Sequence, residues 1–102
     1  MSISNSLLDD IYTQAKKADL CSTKYEFSEK IAGRSKRWLS TVISQNVNPS
    51  ALSLITISAN LNRYALETRK RYTIQTAKKI ASTINQELIT RIHEKTNEHE
   101  IR

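Results

Sequence analysis

The chain has 102 residues, is 38% hydrophobic and 25% charged, and carries a net charge of +6 with a pI near 9.7. That length fits one domain with a modest core, and a single cysteine excludes an internal disulfide or a cysteine-built zinc site. One glycine and one proline leave few turns and almost no helix breakers, which predicts an all-α chain.

The stretch SLLDDIYTQAKKADL, residues 6–20, reads as a first helix, with Leu7, Leu8, Ile11, Tyr12, Ala15 and Ala18 recurring at spacings of three and four. Ser6 is its expected N-cap, with Asp10 near the positive end of the helix dipole. TKYEFSEKIAG reads as a shorter second helix. Thr23 and Glu26 have the spacing of a capping box, Phe27 and Ile31 share a face, and Gly33 suits the left-handed position that ends a helix.

Ser35 is the expected cap of a third helix, about Lys36–Ile43, with Leu39 and Val42 inward and Lys36, Arg37, Ser40, Thr41 and Ser44 outward. SQNVN reads as loop. Asn48 is the expected cap of a fourth helix with Pro49 at its first position. Its run SALSLITISANL is apolar nearly all round and predicts a buried central helix. From Glu67 onward no glycine or proline occurs, and Ile74, Ala77, Ala81, Ile84 and Leu88 step by three and four. That is a long amphipathic helix with a seam that packs on a twin chain, on its own first helix, or on both. The expected organisation is residues 1–62 as one functional unit and 63–102 as a basic, amphipathic C-terminal helix.

Charge is unevenly spread. No acid lies between Glu29 and Glu67, where Lys30, Arg34, Lys36, Arg37 and Arg63 stand, and Arg69, Lys70, Arg71, Lys78 and Lys79 follow before Glu87. A basic middle between mixed ends points to an anionic partner. No segment approaches the ~18 consecutive apolar residues of a membrane span. MSISNSLLDD lacks the features of a secretory signal, so a cytoplasmic protein is expected.

Enzymatic chemistry finds no support in the residues. One glycine cannot build a phosphate-binding loop. His93 and His99 fall about 240° apart on a helix and cannot share a metal as an i,i+4 pair does. No nucleophile, base and orienting group stand out together. No catalytic residue, metal, cofactor or small-molecule substrate is expected.

From Gly33 to Leu61, and more loosely from residue 23, the chain resembles the Cro/CI-type (XRE) helix-turn-helix family. The matching residues are Gly33, Ser35, the pair Leu39-Ser40, Asn48-Pro49-Ser50 and the apolar run to Leu61. The resemblance implies a five-helix lambda-repressor-like domain followed here by a long C-terminal helix. It also implies sequence-specific binding of double-stranded DNA by a transcriptional regulator, a repressor, that inserts helix Lys36–Ile43 into the major groove. The family's base-reading positions fall on Ser35, Lys36, Arg37, Ser40, Thr41 and Ser44. Glu29 stands where the family places alanine at the contact of the two helices. A shift by one residue brings Ser28 or Ala32 to that contact and lengthens the turn by one.

The basic run has its own physical logic. A helix that reads DNA enters the major groove by its N-terminal part, and Arg or Lys there can donate to guanine O6 and N7 for about 1–3 kcal/mol of discrimination. Phosphate contacts are expected from Thr23, Lys24, Arg34, Asn48, Ser50 and the cluster Arg69, Lys70 and Arg71. Trp38 has two readings, a core or rim aromatic and a sugar-phosphate contact. A homodimer on a two-fold site, held by the seam Ile74, Ala77, Ala81, Ile84 and Leu88, is the expected assembly. The alternative is the same fold used for protein binding, as an antagonist of another regulator, through Trp38, Ile43 and Val47.

Overall fold

In the computed structural model, which describes residues 3–100 and the side chains of residues 7–94, four left-handed residues punctuate the chain. Asp19, Gly33, Asn46 and Arg69 have φ of 61°, 66°, 56° and 58°. They follow, in turn, α1 (Ile3–Lys17), α2 (an α-helical turn Lys24–Glu26 continued by a π-wound segment Phe27–Ile31), α3 (Trp38–Ser44) and α4 (Ala51–Thr68). The last helix, α5, spans Arg71–Glu100. Left-handed backbone costs an ordinary residue about 1–2 kcal/mol, and Asp and Asn adopt it more readily than most. One glycine is enough for this chain because Asp19 and Asn46 fill two of the remaining positions. The all-α expectation holds, with five helices among the described residues and a long last one.

The first helix begins at Ile3, so Ser6 lies inside it and is not its cap. Leu8, Ile11 and Ala15 form its buried stripe, and Ala18 just past its end is buried with them. Lys16 and Lys17 occupy its last turn, where positive charge complements the helix dipole. The Leu20 N–H then closes on the Ala15 carbonyl at 2.9 Å.

Thr23 caps α2 as expected, its Oγ1 accepting from the Glu26 N–H at 3.1 Å. The return bond differs from a standard capping box: Glu26 Oε1 accepts from Ser22 N–H at 2.9 Å, one residue before the cap. Beyond Glu26 the winding widens. Ala32 N–H donates to the Phe27 carbonyl at 2.9 Å and Arg34 N–H to the Ser28 carbonyl at 2.8 Å. A π turn accommodates one extra residue, and this removes the misfit at Glu29. Ser28 and Ile31 turn fully into the core while Glu29 faces solvent. A Cβ on Gly33 would meet only Thr56 Cγ2, at 3.7 Å; its positive φ, not crowding, calls for glycine.

Two expected caps are corrected. Ser35 does not cap α3, which starts at Trp38 with no side-chain cap from its own segment. Ser28 of α2 takes that role, its Oγ accepting from Leu39 N–H at 2.9 Å. Asn48 does not cap α4. Ser50 does, accepting from Ser53 N–H at 3.1 Å, with Pro49 buried just before it.

The fourth helix runs on to Thr68, so the expected boundary between residues 62 and 63 falls inside it. Leu54, Ile57, Leu61 and Ala65 are buried along one side, but Leu52 and Ile55 are 73% and 52% exposed. The helix is one-sided, not buried all round. The expected uninterrupted helix from Glu67 is likewise corrected, because the chain turns at left-handed Arg69 and α5 folds back along α4. Ala77, Ile80 and Ile84 of α5 join the same core as Leu8, Phe27, Leu39 and Leu61.

Polar ties fix the packing. Asn60 Nδ2 donates to the Ile31 carbonyl at 2.9 Å and Tyr64 OH to the Lys30 carbonyl at 3.3 Å. These bonds satisfy carbonyls left open at the end of α2. Thr73 Oγ1 does the same for α1, donating to the Ala18 carbonyl at 3.1 Å. Tyr12 and Phe27 meet edge to face, centroids 5.9 Å apart, where α1 crosses α2. Among the described residues no helix is long and apolar enough to cross a membrane.

Candidate nucleic-acid interface

The outer side of α3 follows from what its inner side buries. Leu39 and Val42 are in the core, Ile43 is half-buried, and Ser40, Thr41 and Ser44 face solvent. Ser44 Oγ donates to the Thr41 carbonyl at 3.2 Å. The expected helix Lys36–Ile43 is shifted: Arg34, Ser35, Lys36 and Arg37 form an exposed turn ahead of the helix, closed by Trp38 N–H donating to the Ser35 carbonyl at 3.0 Å. Lys36 and Arg37 make no ion pair with any described residue. The ion pairs among these residues are Glu26–Lys30 and Glu87–Arg91. Arg34 makes none either, so the turn presents three cations outside any ion pair beside the exposed hydroxyls of Ser40, Thr41 and Ser44.

The start of α2 adjoins that face. Thr23, Lys24 and Tyr25 line a shallow depression of about 370 Å³ together with Lys16 of α1 and Ser40 of α3. Two of the expected phosphate-binding residues, Thr23 and Lys24, are thus brought to the side of an expected base-reading residue, Ser40. Lys17, next to Lys16, lines a second depression of about 360 Å³ with Tyr72, Gln75 and Lys79 of α5. The last turn of α1 links the two. Lys16, Tyr25 and Lys17 were not singled out by the sequence, where a lysine pair ending a helix reads as dipole compensation.

Other expected contacts are placed differently. Asn48 Oδ1 accepts from Arg91 Nη2 at 3.0 Å, while Arg91 Nη1 donates to the Pro49 carbonyl at 2.9 Å and its Nε to Glu87 at 2.9 Å. Ser50 Oγ, besides capping α4, donates to Ser53 Oγ at 3.0 Å. Both side chains make bonds that serve the fold. Trp38 is half-buried and packs on the core with Ile43. Arg69, Lys70 and Arg71 are exposed at the α4–α5 corner, near the end of α1 to which Thr73 ties them.

Within this chain the seam packs on the core, with Ala81 half-buried. Ala77 and Ile84 are 1% exposed, and Ile74 and Leu88 pack on the core. Its periodicity reports burial against α4, and a helical period does not distinguish its own chain from a partner. Cys21 is buried, and burial, with Glu26 second and Lys16 opposing, pushes its thiol up from 9.0 to about 11.

No curated protein and no solved structure matches this chain. A family model does match, over residues 8–102, nearly the whole length. The chain belongs to that family, described as a family of unknown function (DUF6626).

Proposed function

We propose that this protein binds double-stranded DNA in a sequence-specific manner as a transcriptional repressor, with α2, the following turn and α3 acting as a helix-turn-helix. In this reading α3 lies in the major groove. Ser40, Thr41 and Ser44 face base edges along it, and Lys36 and Arg37 reach in from the turn at its entry. Ser35 lies in the same turn. Thr23 and Lys24 at the start of α2, with Lys16, contact one phosphate strand, and Arg34 and the Arg69–Arg71 corner extend the electrostatic footprint.

The observation that carries the reading is the shared surface of Ser40, Thr23, Lys24 and Lys16. A helix with an exposed hydroxyl face opens directly beside the cationic start of its neighbour. That is the pairing of base-reading and backbone-positioning groups that duplex recognition needs. The absence of any acid between Glu29 and Glu67 supports it further.

The alternative, protein binding through Trp38 and Ile43, needs those two exposed as one patch. Both are half-buried against the core, which weighs against that face as a protein-binding site. A gel-shift titration of the full chain against a pool of mixed-sequence duplexes tests the reading. Retention that weakens steeply with salt, as expected for roughly 4–6 neutralised phosphates, supports it; no retained duplex at low salt contradicts it.

A further inference from the structure

We propose that the groove between the first half of α4 and the second half of α5 is the contact surface of a two-fold dimer, in which Ile92 of each copy seats against Ile55 of the other. The groove encloses about 640 Å³ and is lined by Ala51, Ile55, Leu88, Arg91 and Ile92. It continues into a shallower channel floored by Ser58, Ala59, Ala81 and Ile84. Small residues there let a helix approach closely. Ile55 and Ile92, which line it, are 52% and 63% exposed.

Charge selects the occupant. The protein carries +6 overall, yet residues 51–62 hold no Asp, Glu, Lys or Arg, and residues 80–94 hold Glu87, Arg91 and Glu94. Arg91 is committed to Glu87, Pro49 and Asn48. Among the described residues of this face, a nucleic acid or an acidic partner finds no uncommitted cation. A second copy, repelled elsewhere by like charge, meets an uncharged α4 face and a slightly acidic α5 face. Depletion of charge is also what marks the centre of protein interfaces.

Shape agrees with a copy as partner. A two-fold interface must carry both knob and hole on one patch, and here Ile92 stands beside the hollow lined by Ala51, Ile55 and Leu88. From Ala81 to Ile92, α5 rises about 17 Å. Such a patch, two helices wide, falls below the ~800 Å² per partner of a standard interface, so the dimer is reversible. This surface shares Ala81, Ile84 and Leu88 with the seam of α5, and its existence does not depend on DNA binding.

Sedimentation velocity of the full chain at rising concentration, without DNA, is the test. The mass is expected to climb from 11.7 kDa toward twice that value. Ile92→Glu and Ile55→Lys should each remain monomeric where the wild type associates, with unchanged far-UV circular dichroism. Mixing the two variants should restore association, because each Ile92→Glu side chain then faces an Ile55→Lys side chain. A wild type that stays monomeric throughout overturns the proposal and leaves the groove to another protein. Single variants that associate like the wild type, or a mixture that stays monomeric, overturn it as well.

Discussion

Ser28 and Leu39 are joined by the bond that sets how α2 meets α3: Ser28 Oγ accepts from Leu39 N–H at 2.9 Å while donating to the Lys24 carbonyl at 2.9 Å. Both residues are 0% exposed. The hydroxyl completes α2 internally and caps α3 from outside. An α3 start lacking a cap of its own is thereby fixed to its neighbour. Ser28→Ala leaves the Leu39 N–H buried and unpaired, for an expected loss of about 1–3 kcal/mol in urea unfolding. A loss within about 0.5 kcal/mol, the range of a neutral surface change, would show that the bond does not hold the junction.

Arg69 is held left-handed at φ 58°, closing α4 with its N–H on the Ala65 carbonyl at 3.2 Å. Glycine relieves that strain but gives back part of the gain as unfolded-state entropy. Arg69→Gly is expected to raise stability by about 0.5–1 kcal/mol and to weaken duplex binding by removing a cation. Thermal unfolding and a parallel DNA titration check both directions. A destabilised variant would mean that the arginine side chain supports the corner.

Cys21 ties stability to alkaline pH. Its thiol sits at about 11 when folded against an ordinary 9.0, burial being the main cause. Between those values the folded state keeps a proton that the unfolded state has lost. Its contribution is therefore complete below 9.0 and declines as pH rises toward about 11. Subtracting the stability profile of Cys21→Ala from that of the wild type isolates this decline from the titration of lysines and tyrosines. A flat difference would contradict it.

Lys16 and Lys24 bracket the depression that includes Ser40. If each neutralises one phosphate, Lys16→Gln and Lys24→Gln each lower the salt slope of DNA binding by about 1 while leaving sequence preference intact. Anisotropy titrations at several salt concentrations read this directly. An unchanged slope for both places the DNA elsewhere.

Much of the fold was legible in the residues. The capping hydroxyl of Thr23, the left-handed Gly33 and the apolar stripes of α1 and α5 are local signals with local causes, and they appear where the spacing puts them. What was not legible depends on contacts distant in sequence. Ser35 and Ser28 are both serines near the start of α3, and only the π winding of α2 brings Ser28 to the Leu39 N–H. Asn48 and Ser50 are both good caps, and the pull of Arg91 on Asn48, forty-three residues away, leaves the role to Ser50. The break at Arg69 has no glycine or proline to announce it. Within the candidate site, the hydroxyls and cations of the α3 region could be picked from the sequence, whereas Lys16 and Tyr25 joined it only through the packing of α1 on α2 and α3.

Parallel selection from random duplexes by the wild type and Arg37→Ala tests sequence-specific recognition through α3 most directly. The wild type should enrich one short motif, and Arg37→Ala should lose or relax preference at a guanine within it, for about 1–3 kcal/mol of discrimination. No enriched motif for the wild type would contradict sequence-specific binding.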